Sequence, residues 1–327
     1  MSIVIPPPPD FTTHDEGLAE FNSASPSRSW YHYLLILASI VFAAVSVGFI
    51  GTILWNALPE FEHHTGTLLG GNGWQSPAGP FGGLAMIVGT LETSVVALVI
   101  AVVIGLGTSI SIVFLLPRRF RNIVATLVEL LAAVPSVVYG LWGFLVLAPW
   151  MLKTVIPWLN SWPFAKDLFG NPGQQDGQSL LLASIVLAVM ILPTFVAISR
   201  EVISVVPDDL IEASLSLGAT RWQMIREVVL PTAKIGLFGA TFLALARATG
   251  ETVAVALVAG GVANVQVHLL YPGTSIAAWI ATEFGEAQGN EIAALMALGV
   301  LLMLVNFGLS LISRWLVSRQ RKVLAVV

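Results

Sequence analysis

Long, mostly apolar runs recur along this chain and set the limits on its fold. A membrane-spanning helix needs roughly 20 such residues. Six stretches reach that length: about Trp30–Trp55, Thr93–Leu116, Ile123–Leu147, Ser179–Ile198, Ala233–Ala259 and Ile292–Trp315. Composition closes the soluble alternative. Only 10% of the residues are charged and 56% are hydrophobic, whereas a soluble domain carries about 25% charged residues. The expectation is an all-α membrane protein with six transmembrane helices.

Lys and Arg orient the spans, because cytoplasmic connections carry the excess of positive charge. Arg28, the Arg118-Arg119-Arg121 loop, the segment holding Arg200, Arg221, Arg226 and Lys234, and the tail with Arg314, Arg319, Arg321 and Lys322 place twelve cations on one side. The other side has Lys153 and Lys166. Both termini are therefore expected in the cytoplasm. Trp30, Tyr31, Trp55, Trp150, Trp158 and Trp315 fall near segment ends, where an interfacial aromatic belt belongs. The net charge is −4, and the cations sit in short loops, so no nucleic-acid partner is expected. With no Cys, disulfides and thiolate metal sites are excluded.

The N-terminal 1–29 is polar, runs through Pro6-Pro7-Pro8-Pro9, lacks signal-peptide features, and reads as a disordered cytoplasmic tail. An extra N-terminal transmembrane helix (30–57) follows, then a membrane domain (83–318) and a short cytoplasmic tail (319–327). The outer connections Leu58–Phe81 and Trp150–Gln178 are rich in Gly and Pro and read mostly as loop, with His63 and His64 exposed there. Thr274 or Ser275 can cap a short helix, Ile276–Phe284, whose apolar face suits the outer surface.

Residues 201–231 are too polar to span the membrane but are patterned as two short helices. Pro207 fits a first helical position, and Asp208 and Asp209 suit the positive end of a helix dipole. Gly218 supplies a stop. Thr220 and Gln223 form a capping-box pattern for the second helix, which Pro231 closes. From charge and caps alone, a plain amphipathic connector fits as well as a docking element.

Charge inside the apolar runs is costly and usually functional. Arg247 and Glu251 lie in the fifth stretch, four residues apart, and as a continuous helix they share one face. Either they are a neutralised structural pair, or Arg247 faces an anion whose path Glu251 tunes. The guanidinium fork suits a tetrahedral oxyanion. Pro135 interrupts the third stretch beside Ser136, giving either a kink or a true break that exposes backbone groups to an anion. Glu92 and Glu129 read as interfacial or hydrogen-bonded structural acids.

Several motifs carry a family resemblance. Glu212-Ala213-Ser214, then Gly218, then Leu230-Pro231 resembles the EAA loop of ABC importer permeases, with Ser214 for the second Ala and Val228 for Ile. Val134-Pro135-Ser136 through Trp142-Gly143, and Arg247-Ala248-Thr249-Gly250-Glu251-Thr252, resemble stretches of the phosphate-specific members, with Trp142 favouring the C-type subunit. The resemblance implies a five-helix permease core (helices 2–6) preceded by one helix. It implies a substrate path that includes Arg247, Glu251, Pro135 and Ser136, and a coupling helix at Glu212, Ala213, Ser214 and Gly218. The implied partners are an A-type permease in a heterodimer, a dimeric ATPase, an extracytoplasmic phosphate-binding protein and membrane lipid. The chain has no Gly-x4-Gly-Lys-[Ser/Thr] loop, so no cofactor is expected on it; ATP and Mg belong to the ATPase. A sulfate or molybdate importer fits the same residues. An ion-coupled secondary transporter would call for inverted repeats, and no clear repeat is seen.

Overall fold

The structure is a computed structural model that describes residues 28–76, 79–162, 169–170, 177–266 and 268–324. The expected tail at 1–27 lies outside them, as do residues 325–327. The helices, in chain order, are α1 Arg28–Gly70, α2 Leu84–Leu115, α3 Arg118–Ala133, α4 Ser136–Asn160, α5 Leu180–Ser204, α6 Asp208–Ser216, α7 Arg221–Thr249, α8 Val253–Val258, α9 Ile276–Glu283 and α10 Asn290–Leu324. Six of them, α1, α2, α4, α5, α7 and α10, are long and apolar enough to cross a membrane. Among the described residues there is no strand, only isolated bridges from Trp74 to Phe81 and from Gly260 to Gly273.

The chain forms two compact units. The first, through Thr52, is described from Arg28 onward as one apolar helix with uncovered side chains such as Phe42. The second begins at Ile53, and its centre is α5, the span with the largest buried share. Leu182, Val186, Leu187, Ile191 and Phe195 of α5 are fully enclosed. Opposite them α2 sets Ala97, Ala101 and Gly105 at four-residue intervals. A Cβ on Gly105 would stand 2.5 Å from the Phe195 ring. Between membrane helices, close backbone approach over small residues of this kind supplies the packing energy that water exclusion supplies elsewhere.

Among the described residues four π-helical turns occur, at Ser111–Leu115, Gly143–Leu147, Met151–Val155 and Ile225–Val229. Each is followed two residues later by a proline: Pro117, Pro149, Pro157 and Pro231. Proline has no N–H and its ring collides with the carbonyl one turn back. At Pro149, Pro157 and Pro231 the widened turn moves that carbonyl away and lets the helix continue; at Pro117 it does not, and α2 ends with Leu116 extended. This corrects two expectations. Pro231 does not close a helix: Leu230 donates to the Ile225 carbonyl and α7 runs on to Thr249. The first part of the stretch after Trp150 is not loop, because α4 passes Pro149 and Pro157 and ends at Asn160.

The connection expected at Leu58–Phe81 is helical as far as Gly70. Ala57 and Leu68 are fully buried with Met86, Leu295 and Leu298, and this packing holds the Gly-bearing turns in place. His63 and His64 therefore lie on a helix, with the axis distorted at His64 (φ −132°). His64 Nδ1 stands 3.4 Å from the buried Glu60 carboxylate. The short outer helix begins as expected, with Ser275 Oγ accepting from Ala278 N at 3.2 Å. It does not lie on the surface, because Ile276 and Trp279 are core residues.

Candidate functional site

Two helix breaks lie beside each other within the bundle. At the first, Val134 (ψ 128°) and Pro135 (ψ 143°) are extended, so α3 and α4 are separate helices and not one kinked span. Neighbours on α5 fix the depth of this break. Val128 of α3 packs with Val196 and Ile112, while a Cβ on Gly143 of α4 would meet Val186 at 2.7 Å. The break thus falls between the levels of Val186 and Val196, near the middle of α5. The Tyr139 hydroxyl, one turn into α4, donates back across it to the Leu131 carbonyl at 2.7 Å. Pro135 is exposed and Ser136 is half-buried.

At the second break α7 ends at Thr249 with Gly250 as its cap, and α8 starts at Val253. Gly140 of α4 meets α8 face to face: a Cβ there would lie 2.7 Å from Leu257 Cδ1 and 3.0 Å from Ala254 Cα. The early turns of α4 and α8 are thereby locked together. Arg247, in the last turn of α7, comes within electrostatic range of the Tyr139 hydroxyl. Irregular backbone at such depth is tolerated only against protein or a water-filled cavity.

The break overturns the expectation that Arg247 and Glu251 share a helix face, because Gly250 ends the helix between them. Among the described residues they form no ion pair. Glu251 is half-buried and turned toward α8, where Oε1 is 3.4 Å from Ala254 N. Arg247 is exposed. Thr249 fixes the α7 terminus by donating to Asn306 Oδ1 of α10.

The other candidate element is α6 with the turn that follows it. Gly218 has φ +87°. Gly218 N bonds the Leu215 carbonyl at 3.0 Å and Ala219 N the Ser214 carbonyl at 3.2 Å, which together make a Schellman motif. Thr220 then forms the expected capping box: its N–H donates to Gln223 Oε1 (2.8 Å) and its hydroxyl accepts from Gln223 N (3.3 Å). Beneath, Ile211 packs on the buried Met224, Ile225, Val206 and Ile203. Outward, Glu212, Ala213 and Gly218 are exposed, and Ser214 is half-buried with its hydroxyl on the Ile211 carbonyl. Leu217 is 89% exposed and Trp222 62%.

Glu92 lies on α2 with one carboxylate oxygen buried and unbonded. Glu129 accepts from Arg200 at 3.1 Å in an exposed pair. The sequence reading missed Tyr139, whose place one turn after Pro135 was the available signal. It also missed Glu291, 1% exposed at the start of α10, which accepts from Trp74 Nε1 and Ser76 Oγ, both at 2.9 Å. On neighbouring α9, burial raises the pKa of the Glu283 carboxyl, and the Glu291 and Glu286 charges add to the rise.

Residues 97–322 match the family model described as binding-protein-dependent transport system inner membrane component. The chain belongs to this family. The permease is 39% identical over 291 residues, 88% of its own length and 86% of the relative's, to the phosphate transport system permease protein PstC of Mesorhizobium japonicum. The protein of the same name from Pasteurella multocida is 38% identical, covering 90% and 92%. Among solved structures, a bacterial alginate ABC transporter in complex with its alginate-bound periplasmic protein aligns with TM-score 0.58 at 18% identity. That alignment covers 88% of this permease and 93% of the other chain. It supports the all-α, six-span permease fold.

Proposed function

We propose that this permease is the C-type subunit of an ATP-driven phosphate importer, and that Arg247, Glu251, Pro135 and Ser136 belong to its translocation path. The observation that carries the reading is the placement of Arg247: exposed, without a carboxylate partner among the described residues, at the junction of two helix breaks. A guanidinium there presents a fork of donors to a tetrahedral oxyanion. The α4 N-terminus beside it adds backbone N–H groups and positive potential. Glu251, turned to α8, leaves Arg247 free to engage an anion. The names of the relatives above support phosphate among oxyanions.

Alternating access follows from the two breaks. Tyr139 and the α4–α8 lock make the half-helices one body, which can rock about Pro135 and Gly250. An A-type permease would complete the path opposite Arg247, and a soluble phosphate-binding protein would deliver substrate to the outer face. A dimeric ATPase, carrying ATP and Mg, would seat on α6 around Glu212, Ala213, Ser214 and Gly218. With α6 on the cytoplasmic side, both termini are cytoplasmic.

Uptake of phosphate into proteoliposomes holding the complete importer, with ATPase activity followed in parallel, tests the reading. Arg247→Gln is expected to lower uptake roughly ten- to a hundredfold, the range implied by losing a charge-assisted hydrogen bond of about 1.5–3 kcal/mol. ATP hydrolysis by the assembled complex should persist. Unchanged uptake would remove Arg247 from the path.

A further inference from the structure

A cavity lined by two guanidinium groups lies at the end of the bundle that carries α6. It encloses about 480 Å³ between the last turns of α2, the start of α3 and the last turns of α5. Its polar lining is Arg121 and Asn122 from α3 with Arg200, Glu201 and Ser204 from α5. None of the lining residues belongs to α7 or α8, so the cavity is separate from the Arg247 junction.

The polar groups around it are unequally satisfied. Arg200 is held by Glu129 through one nitrogen. Arg121 donates through Nη2 to the Val113 carbonyl in the α2 terminal turn, which anchors the guanidinium. Its Nε is buried and has no partner. A buried donor left unbonded is destabilising, so an acceptor at this place would be stabilising. The N-terminal end of α3, where Arg121 and Asn122 lie, adds positive potential. Two guanidinium groups face one lining acid, Glu201; the Ser204 hydroxyl donates to the Glu201 carbonyl at 2.8 Å, and the Asn122 amide adds a donor that phosphate oxygens match.

We propose that this cavity binds a phosphate group at the permease's cytoplasmic end, either free phosphate or the headgroup of an anionic phospholipid. The site stands on the cavity alone. Only its cytoplasmic placement rests on the orientation proposed above. An occupant there would tie α3 to α5, and so bear on the α3–α4 break.

Hydrogen exchange on the complete importer in nanodiscs tests this. One arm adds inorganic phosphate to phosphatidylcholine discs; the other replaces phosphatidylcholine with phosphatidylglycerol. Bound phosphate is expected to slow exchange across residues 121–128 roughly threefold or more once the probe reaches twice its Kd. Arg121→Gln should abolish the response and Arg247→Gln should leave it intact. Protection by inorganic phosphate identifies a soluble anion, and protection confined to phosphatidylglycerol identifies a lipid headgroup. Protection in neither arm, or protection unchanged in Arg121→Gln, overturns the proposal. So does protection lost in Arg247→Gln, which would place the anion in the translocation path. If Arg121→Gln fails to assemble, Asn122→Asp, at an exposed position, puts a negative charge at the mouth and must remove the protection instead.

Discussion

Single side chains in this permease are governed by what lies within a few ångströms, and their sequence spacing misleads. Arg247 and Glu251 are four apart, yet one glycine cap turns them in different directions and their charges do not pair. Glu283 shows the same principle for titration. Its pKa is raised above the ordinary 4.5, first by burial and then by the Glu291 and Glu286 charges. A raised carboxyl pKa means the folded state disfavours the charged form, so ionised Glu283 costs stability at neutral pH. That cost is relieved as pH falls through the raised value toward 4.5. Glu283→Gln is therefore expected to melt higher than the native importer at pH 7, with the gap closing as pH approaches 4.5. Thermal unfolding of both proteins across that range reads the difference.

Elements here are shaped by how helices begin, break and continue. Three of the proline-linked π turns let α4 and α7 pass residues that would otherwise stop them. The complete breaks occur where a second helix packs into the gap. Gly140 carries that packing, because any side chain would strike Leu257 and the Ala254 backbone. Gly140→Val is expected to part α4 from α8 and cost about 1–3 kcal/mol, as overpacking of a filled core does. A lowered melting temperature and faster exchange in residues 253–258 would register it; an unchanged protein would show that α8 is not held by α4.

For the whole molecule, the charge asymmetry, the uncovered face of α6 and the exposed Arg247 describe a part built to be completed by others. Leu217 tests this separation of folding from function. It is 89% exposed and makes no core contact, so Leu217→Glu should alter stability by less than about 0.5 kcal/mol. The same change is expected to sharply lower ATP hydrolysis stimulated by the binding protein, by putting a charge into the docking surface proposed for the ATPase. Normal stimulation would place the docking surface elsewhere on the segment.

Much of this was legible in the sequence, and the reason is physical. Membrane spans must be long and apolar because lipid offers the backbone no hydrogen bonds, so the number of spans can be read directly, although the third lies at Ser136–Asn160 and not at Ile123–Leu147, and the fifth begins earlier, at Arg221. Caps are equally local. Asp208, Gly218, Thr220 and Gln223 act on groups within a few residues of themselves, and α6 with its turn and capping box formed as those residues indicate, while the second helix runs on as α7. Features that depend on distant neighbours could not be read in this way. Pro135 permits a kink or a break, and the choice fell to Tyr139, α8 and the packing of α3 on α5. Pro231 permits a stop, and the π turn beneath it permitted continuation. Gly66 and Gly70 weaken a helix that Leu68 holds by burial among Met86 and Leu298. Arg121 is one of several loop cations in the sequence; only the close approach of α2, α3 and α5 makes it the wall of a cavity.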